Sequence, residues 1–293
     1  MPKLLEPRSW HEVPTIVADG PNDELLSVNR DTVVKQFKVH GLVLFRSFRI
    51  GVENFQALVK AYSKTQISYP GGQRAPISVD GKVQTVDVGA KSIPLHSELS
   101  HTPFRPDICW FYCVKAPTRG SETTLCDGSL LASMLPSSVL DLLEGKVLRY
   151  RRTTSITFLE RLLGTTDAAI LRELLAIGSY SRWYEIRGDE VRQDFVTPVL
   201  YNATFVHKPV FANNIIHNFR PKTPLLYPTF DDGSAIPEHL IVDICKIAER
   251  CTFGVQWRDQ DLLMFDNTRF MHGRRTVIDT QRTIWTHFSD VDF

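Results

Sequence analysis

In the segment PLHSELSH, residues 94–101, His96, Glu98 and His101 bring two imidazoles and a carboxylate within six positions. Imidazole nitrogens and carboxylate oxygens are the donors that transition metals take from proteins. His96 and Glu98 are one residue apart, and on a strand positions i and i+2 project from one face. His101 would face the opposite side of a continuous strand, so it reads as a structural or supporting residue. A third ligand must come from elsewhere. His272 is the best placed, because it follows the apolar run LLMFDNTRF and opens HGRR. Two histidines and one carboxylate on one face of an octahedral ion leave three positions open. That vacancy suits a non-haem iron(II) centre, which must admit a cosubstrate and dioxygen. The motif His-x-Glu alone also fits two polar residues at the start of a strand. The same donors can make a catalytic zinc site in a hydrolase, although no helical HExxH pattern occurs.

Short strands must position these residues. Leu42 to Phe48, Ile108 to Val114, Thr123 to Cys126, Val147 to Thr153, Val196 to Asn202, Leu262 to Phe265 and Arg282 to Phe288 are apolar, aromatic or β-branched runs bounded by turn residues. Helical spacing marks Thr32 to His40, Asn54 to Lys64, Leu130 to Glu144, Ala168 to Ile177 and Pro237 to Arg250. The balance predicts an α+β chain with a mainly β core, a sandwich or barrel carrying helices outside. Two stretches, residues 66–91 and 154–192, look less regular and are candidate lids over a binding site.

Thirty-four basic against thirty-three acidic side chains leave a net charge of +1, so bulk electrostatics selects neither nucleic acid nor an anionic membrane surface. No apolar run approaches the roughly 20 residues needed to span a bilayer. The N-terminal residues lack the apolar core of a signal peptide. Five cysteines without CxxC spacing argue against a disulfide framework and a structural zinc site. Cys109 and Cys113 read as buried small hydrophobes. Together these features predict a reducing, cytoplasmic setting. His207, His217, His239 and His287 have no motif around them and read as packing or surface residues. Trp110, Phe111, Tyr112 and Trp257 read as core aromatics.

Four segments, in order, resemble iron(II)/2-oxoglutarate-dependent dioxygenases of the taurine dioxygenase and clavaminate synthase-like superfamily. They are HGLVLFRSF, PLHSELSHTPFRPDICWFYCVKAPTRGSETTLCDG, QWRDQDLLMFDNTRFMHGRR and QRTIW. The resemblance covers most of the chain. It implies one domain over residues 1–293, with a double-stranded β-helix (jelly-roll) fold and flanking helices. It implies His96, Glu98 and His272 as ligands of Fe(II), with 2-oxoglutarate and O2 as cosubstrates. Thr123, in GSETTLCD, falls where the family hydrogen-bonds the far carboxylate of 2-oxoglutarate. Arg282 falls where an arginine pairs with that carboxylate; a guanidinium offers a charged, planar, two-donor fork for the task. Arg274 and Arg275 are its rivals.

The implied activity oxidises, above all hydroxylates, an aliphatic C–H bond of a small molecule, releasing succinate and CO2. The substrate class implied is an amino acid or a specialised-metabolite intermediate, free or tethered to a carrier. Desaturation or cyclisation would use the same oxidant. A zinc hydrolase and a non-catalytic jelly-roll binding protein are the remaining readings. Glu98 stands where many members carry Asp, and where a small residue would open a site for halide, so it favours hydroxylation over halogenation. Thr286 stands where taurine dioxygenase has an arginine that grips sulfonate, which disfavours a sulfonate substrate. Oligomeric state is not legible.

Overall fold

Chain order already sets apart the strands that will meet at the site. In the computed structural model, residues 2–20, 23–69, 71, 74–176, 181–219 and 227–293 are described. First come β1 (Lys3–Leu5), β2 (Thr15–Val17), α1 (Arg30–His40), β3 (Leu42–Arg46), α2 (Val52–Ala61), β4 (Ser63–Ile67), β5 (Gln84–Thr85) and β6 (Ile93–His96). Next are β7 (Ile108–Lys115), β8 (Thr123–Asp127), α3 (Gly128–Met134), α4 (Ser137–Leu143), β9 (Val147–Ser155), α5 (Ile156–Leu163), α6 (Ala168–Ala176), β10 (Ser181–Arg187) and β11 (Glu190–Pro198). Last are β12 (Tyr201–Ala203), β13 (Val206–Val210), α7 (Ile215–Phe219), β14 (Thr229–Phe230), α8 (Glu238–Arg250), β15 (Thr252–Gly254), β16 (Leu262–Asp266), β17 (Phe270–Arg274) and β18 (Thr283–Val291).

Two sheets form the centre. The larger runs β1-β2-β3-β16-β7-β18-β4, with β5 beside β18, and the smaller runs β15-β8-β17-β6. Within them only β2 and β3 pair in parallel among the described strands. The two-residue period of β7 separates the layers. Cys109, Phe111 and Cys113 pack with Leu125, Phe265, Phe270 and Phe288 between the sheets. Ile108, Trp110 and Tyr112 pack on the other face with Phe37 of α1 and Phe55 and Leu58 of α2. On the far side of the smaller sheet, Leu95, Cys126 and Met271 meet Leu131 of α3 and Leu240 and Ile241 of α8. Parity therefore turns His96, Thr123, His272 and Thr286 into the space between the sheets.

Local chemistry explains the boundaries. Asn29 caps α1 by accepting from the Thr32 amide, and Gly41 ends it at φ 74, a left-handed conformation that glycine adopts at little cost. The expected helix over residues 130–144 is two helices. Leu135 is extended before Pro136, whose ring disfavours a helical predecessor and which lacks an N–H. The expected strand over residues 196–202 likewise divides, since β11 ends at Pro198 and β12 starts at Tyr201.

Residues 154–192, which look less regular in sequence apart from the helix expected over 168–177, are largely regular where described, residues 177–180 lying outside the described set. They hold α5, capped by the Ser155 hydroxyl, then α6 and the β10–β11 hairpin that extends β9. Short strands with mixed polar and apolar residues hid that hairpin from a pattern search. The other irregular stretch, residues 66–91, contains the ends of β4 and all of β5, and residues 70, 72 and 73 lie outside the described set. No helix among the described residues is long and apolar enough to cross a membrane.

Candidate metal centre and its two chambers

β6 and β17 are antiparallel neighbours with His96 directly opposite His272, and their ring centroids are 4.2 Å apart. Gly273 permits this approach, because a Cβ there would lie 2.6 Å from the Ile93 carbonyl oxygen. The His96 Nδ1–H donates to the Pro94 carbonyl at 2.9 Å, which leaves Nε2 as the free donor. Burial, reinforced by His96, holds the His272 pKa well below its ordinary value. Its ring is therefore neutral, the form that binds a metal.

Glu98 reaches the same point by a different route from the one its spacing implies. β6 ends at His96, and Glu98 sits in the following turn, where Leu99 has φ 53. Asn267 fixes that turn. Its side chain accepts from the Glu98 amide at 2.8 Å and donates to the Glu98 carbonyl at 3.0 Å and the Pro106 carbonyl at 2.8 Å. The Ser97 hydroxyl donates to the Asn267 carbonyl at 2.6 Å. Glu98 Oε2 lies 3.9 Å from His272 Nε2. One donor atom from each of His96, Glu98 and His272 lies within 4.8 Å of the others, and this is the only such cluster among the described residues.

On the inner side, the two histidines share a chamber with Phe111, Thr123, Arg282 and Thr286. Arg282 Nη2 donates to Thr123 Oγ1 at 2.9 Å, and Trp257 Nε1 donates to the same oxygen at 3.1 Å. With both acceptor positions used, the Thr123 hydroxyl has its own proton left to give. Burial, aided by the charge of Arg274, lowers the Arg282 pKa to about 10, so the group stays cationic at neutral pH. Its Nε is buried without a partner. A buried cation without an anion is costly, and this one faces space that an anion can fill.

The rival arginines are already engaged. Arg274 donates to the carbonyls of Asp87, Gly89 and Lys91 at 2.6, 3.0 and 3.0 Å. Arg275 pairs with Glu249 at 2.6 Å on the surface.

The outer chamber, about 180 Å³, is walled by Tyr69, Leu99, His101, Tyr150, Arg152, Asn214 and His217 beside His96 and Glu98. Arg74 stands between the chambers. Its guanidinium bonds Glu98 at 3.1 Å, lies 3.5 Å from Asp87 and stacks over Tyr69 and Phe288. Burial alone would lower its pKa, but Glu98 and Asp87 together raise it. The His217 ring lies 4.8 Å from that of His96, and burial followed by His96 lowers its pKa to about 4.

His101 accepts from the Asn214 amide at 2.6 Å, and burial with the charge of Arg152 holds its pKa well below normal. Strand parity does not remove it from the site, since the chain has left the strand by then. Arg74, Arg152 and His217 carry no sequence motif. His217 is a wall of the chamber, not a remote packing residue. Trp257 is buried as expected, yet its indole N–H also serves Thr123. None of the five cysteines is in a disulfide. A roomier groove of about 930 Å³, near Leu4, Trp10 and Phe253, contains none of these residues. Chemistry, not size, therefore locates the site.

Comparison with known proteins follows the same lines. The family model described as taurine catabolism dioxygenase TauD, TfdA family, matches residues 11–287. A clavaminate synthase-like protein of Arabidopsis thaliana is 25% identical over 270 residues, covering 83% of this chain and 80% of its own. A taurine dioxygenase from Burkholderia xenovorans superposes with a TM-score of 0.65 at 12% identity, covering 99% of this chain and 90% of its own. PvcB of Pseudomonas aeruginosa, an Fe, α-ketoglutarate-dependent oxygenase from an isonitrile synthetic pathway, superposes with a TM-score of 0.61 at 14% identity, covering 96% and 86%. These last two share the fold.

Proposed function

The chain belongs to the TauD/TfdA dioxygenase family, and from that premise we propose that it is an iron(II)- and 2-oxoglutarate-dependent oxygenase acting on an aliphatic C–H bond of a small molecule. The observation that carries the reading is the unpaired Arg282 guanidinium with Thr123, set across one chamber from the His96, Glu98 and His272 donors. That pairing fits a short dicarboxylate lying between a metal and a cation.

In this reading His96, Glu98 and His272 hold Fe(II), while Arg282 and Thr123 hold the far carboxylate of 2-oxoglutarate. When bound, iron supplies activation of O2 coupled to decarboxylation of 2-oxoglutarate to succinate and CO2. The chain's own work is orientation and exclusion. Asn267 fixes the Glu98 turn, and the Pro94 carbonyl selects the His96 tautomer. Phe111 and Val86 keep water from the inner chamber, and the outer chamber presents one C–H bond beside His96. Tyr69 and the α5–α6 and β10–β11 segments would act as the cover; Leu99, beside Glu98, packs with Leu159, Leu162, Leu171 and Val191. We read the alternation of β7, β8, β15, β16, β17 and β18 between the two sheets as a double-stranded β-helix.

Hydroxylation is the outcome favoured by Glu98, which occupies the position that a halide would need. The likeness to PvcB, from an isonitrile synthetic pathway, supports a substrate from specialised metabolism. The test is succinate formation from Fe(II), ascorbate and 2-oxoglutarate under air, with His96→Ala and Arg282→Ala alongside. Equal succinate from wild type and His96→Ala would sink the proposal. Product analysis then separates hydroxylation from desaturation and cyclisation.

A further inference from the structure

We infer that Arg152 receives an anionic group of the substrate, a carboxylate, and so sets the substrate class of the outer chamber. This deepens the oxygenase reading and rests on it for the location of the reacting bond.

The two faces of β9 differ in how their arginines are matched. Arg149 and Arg151 project from one face and share Asp194 of β11. Arg152 projects from the other, with Tyr150, into the chamber beside His96 and Glu98. Its cross-strand partner is Gln193, an amide whose Nε2 is buried without a hydrogen-bond partner. Among the described residues Arg152 has no acidic partner, and the ionisable groups that favour its charge are the neutral phenols Tyr69 and Tyr150. Among the described residues, β11 thus supplies an acid for Arg149 and Arg151, and no acid pairs with the arginine that faces the chamber.

Charge in the chamber gives the same answer. Arg74 is matched by Asp87 and Glu98. Divalent iron, Glu98 and doubly charged 2-oxoglutarate leave one negative charge, set against the inner-chamber cations Arg282 and Arg274. Arg74 and Asp87 cancel each other. Arg152 is left as one half-buried positive charge beside the place where substrate must lie. A half-buried guanidinium favours a carboxylate over its neutral amide, because the amide cannot replace the water it displaces with an ionic bond. Thr286 adds no charge of its own to the inner chamber, whereas Arg152 on β9 adds one to the outer chamber.

The experiment is calorimetric binding to protein loaded with Mn(II) and 2-oxoglutarate without oxygen. The probes are L-amino acids, phenylacetate and short aliphatic acids, each paired with its primary amide. The expected result is a preference of about tenfold or more for acids, lost in Arg152→Gln and largely restored in Arg152→Lys. Arg151→Gln, on the outer face of the same strand, keeps the preference. Equal affinity for acids and amides, no binding of any acid at millimolar concentration, or an unchanged preference in Arg152→Gln overturns the inference. Because the readout is binding, it stands apart from the succinate assay: a protein that prefers acids but forms no succinate refutes the oxygenase reading alone.

Discussion

Arg282 is the residue on which the cosubstrate reading turns, and its environment predicts the size of its effect. A hydrogen bond to a charged partner contributes about 1.5–3 kcal/mol. Arg282→Gln should therefore raise the KM for 2-oxoglutarate roughly 10- to 100-fold, because about 1.4 kcal/mol is tenfold. Thr123→Ala removes a neutral donor, and a shift of about 2- to 10-fold is expected. Succinate formation against 2-oxoglutarate concentration checks both, and an unchanged KM in Arg282→Gln would move the anchor elsewhere. At this scale the sequence was informative wherever residues sit in short, spaced motifs. His96, Glu98, His272, Thr123 and Arg282 were legible because their neighbours are distinctive. Arg74, Arg152 and His217 were not, since a loop, a strand and a short helix each contribute one residue and only folding brings them together. His101 is the supporting residue expected, held by Asn214 and outside the donor cluster, but not by parity, since the strand ends five residues earlier.

Turns and strand pairs, not isolated side chains, give the site its shape. Asn267 fixes the Glu98 turn from the connection between β16 and β17: its side chain accepts from the Glu98 amide and the Ser97 hydroxyl and donates to the Glu98 carbonyl. Asn267→Ala should weaken Mn(II) or Fe(II) binding about 10- to 100-fold, as loss of residues that orient metal ligands commonly does. Titration of the metal by calorimetry measures this, and affinity equal to wild type would refute it. β18 carries a second consequence. His287 is fully buried edge-on to Phe55 of α2, and burial lowers its pKa to about 4. Between pH 6.5 and about 4 the unfolded chain binds a proton at this residue that the folded chain refuses, so stability falls as pH drops through that window. His287→Leu should flatten that part of the pH–stability curve, as read from urea midpoints; an unchanged slope would assign the effect to other groups. Continuous apolar or β-branched runs made β3, β7, β8 and β16 readable, and alternation of polar and bulky residues did so for β18. The β10–β11 hairpin and the break at Pro136 were harder, because mixed polarity masks the first and a continuous helical pattern masks the second.

For the whole molecule, ligand binding and stability are one equilibrium. Mn(II) together with 2-oxoglutarate, each at about a hundred times its Kd, should each add about 2.7 kcal/mol. For a chain of this size each kcal/mol is roughly 2 °C in Tm, so each ligand should raise Tm by about 5 °C. His96→Ala should lose both increments, and Arg282→Gln should keep the metal increment and lose most of the other. Calorimetric scans decide this, and a full 2-oxoglutarate increment in Arg282→Gln would contradict the assigned chamber. The layered β architecture with helices outside was legible from composition and periodicity. The arrangement of two chambers around one centre was not, since it depends on which strands are neighbours in space.

The pairing of His96 with His272 across β6 and β17 also bears on how the protein is made. The first histidine and Glu98 leave the ribosome long before the strand that faces them. Until β17 is laid beside β6, only two of the three proposed donors are together. On that assignment, metal capture waits on the pairing of these two strands. Strand order here is a safeguard on timing as well as a means of assembly.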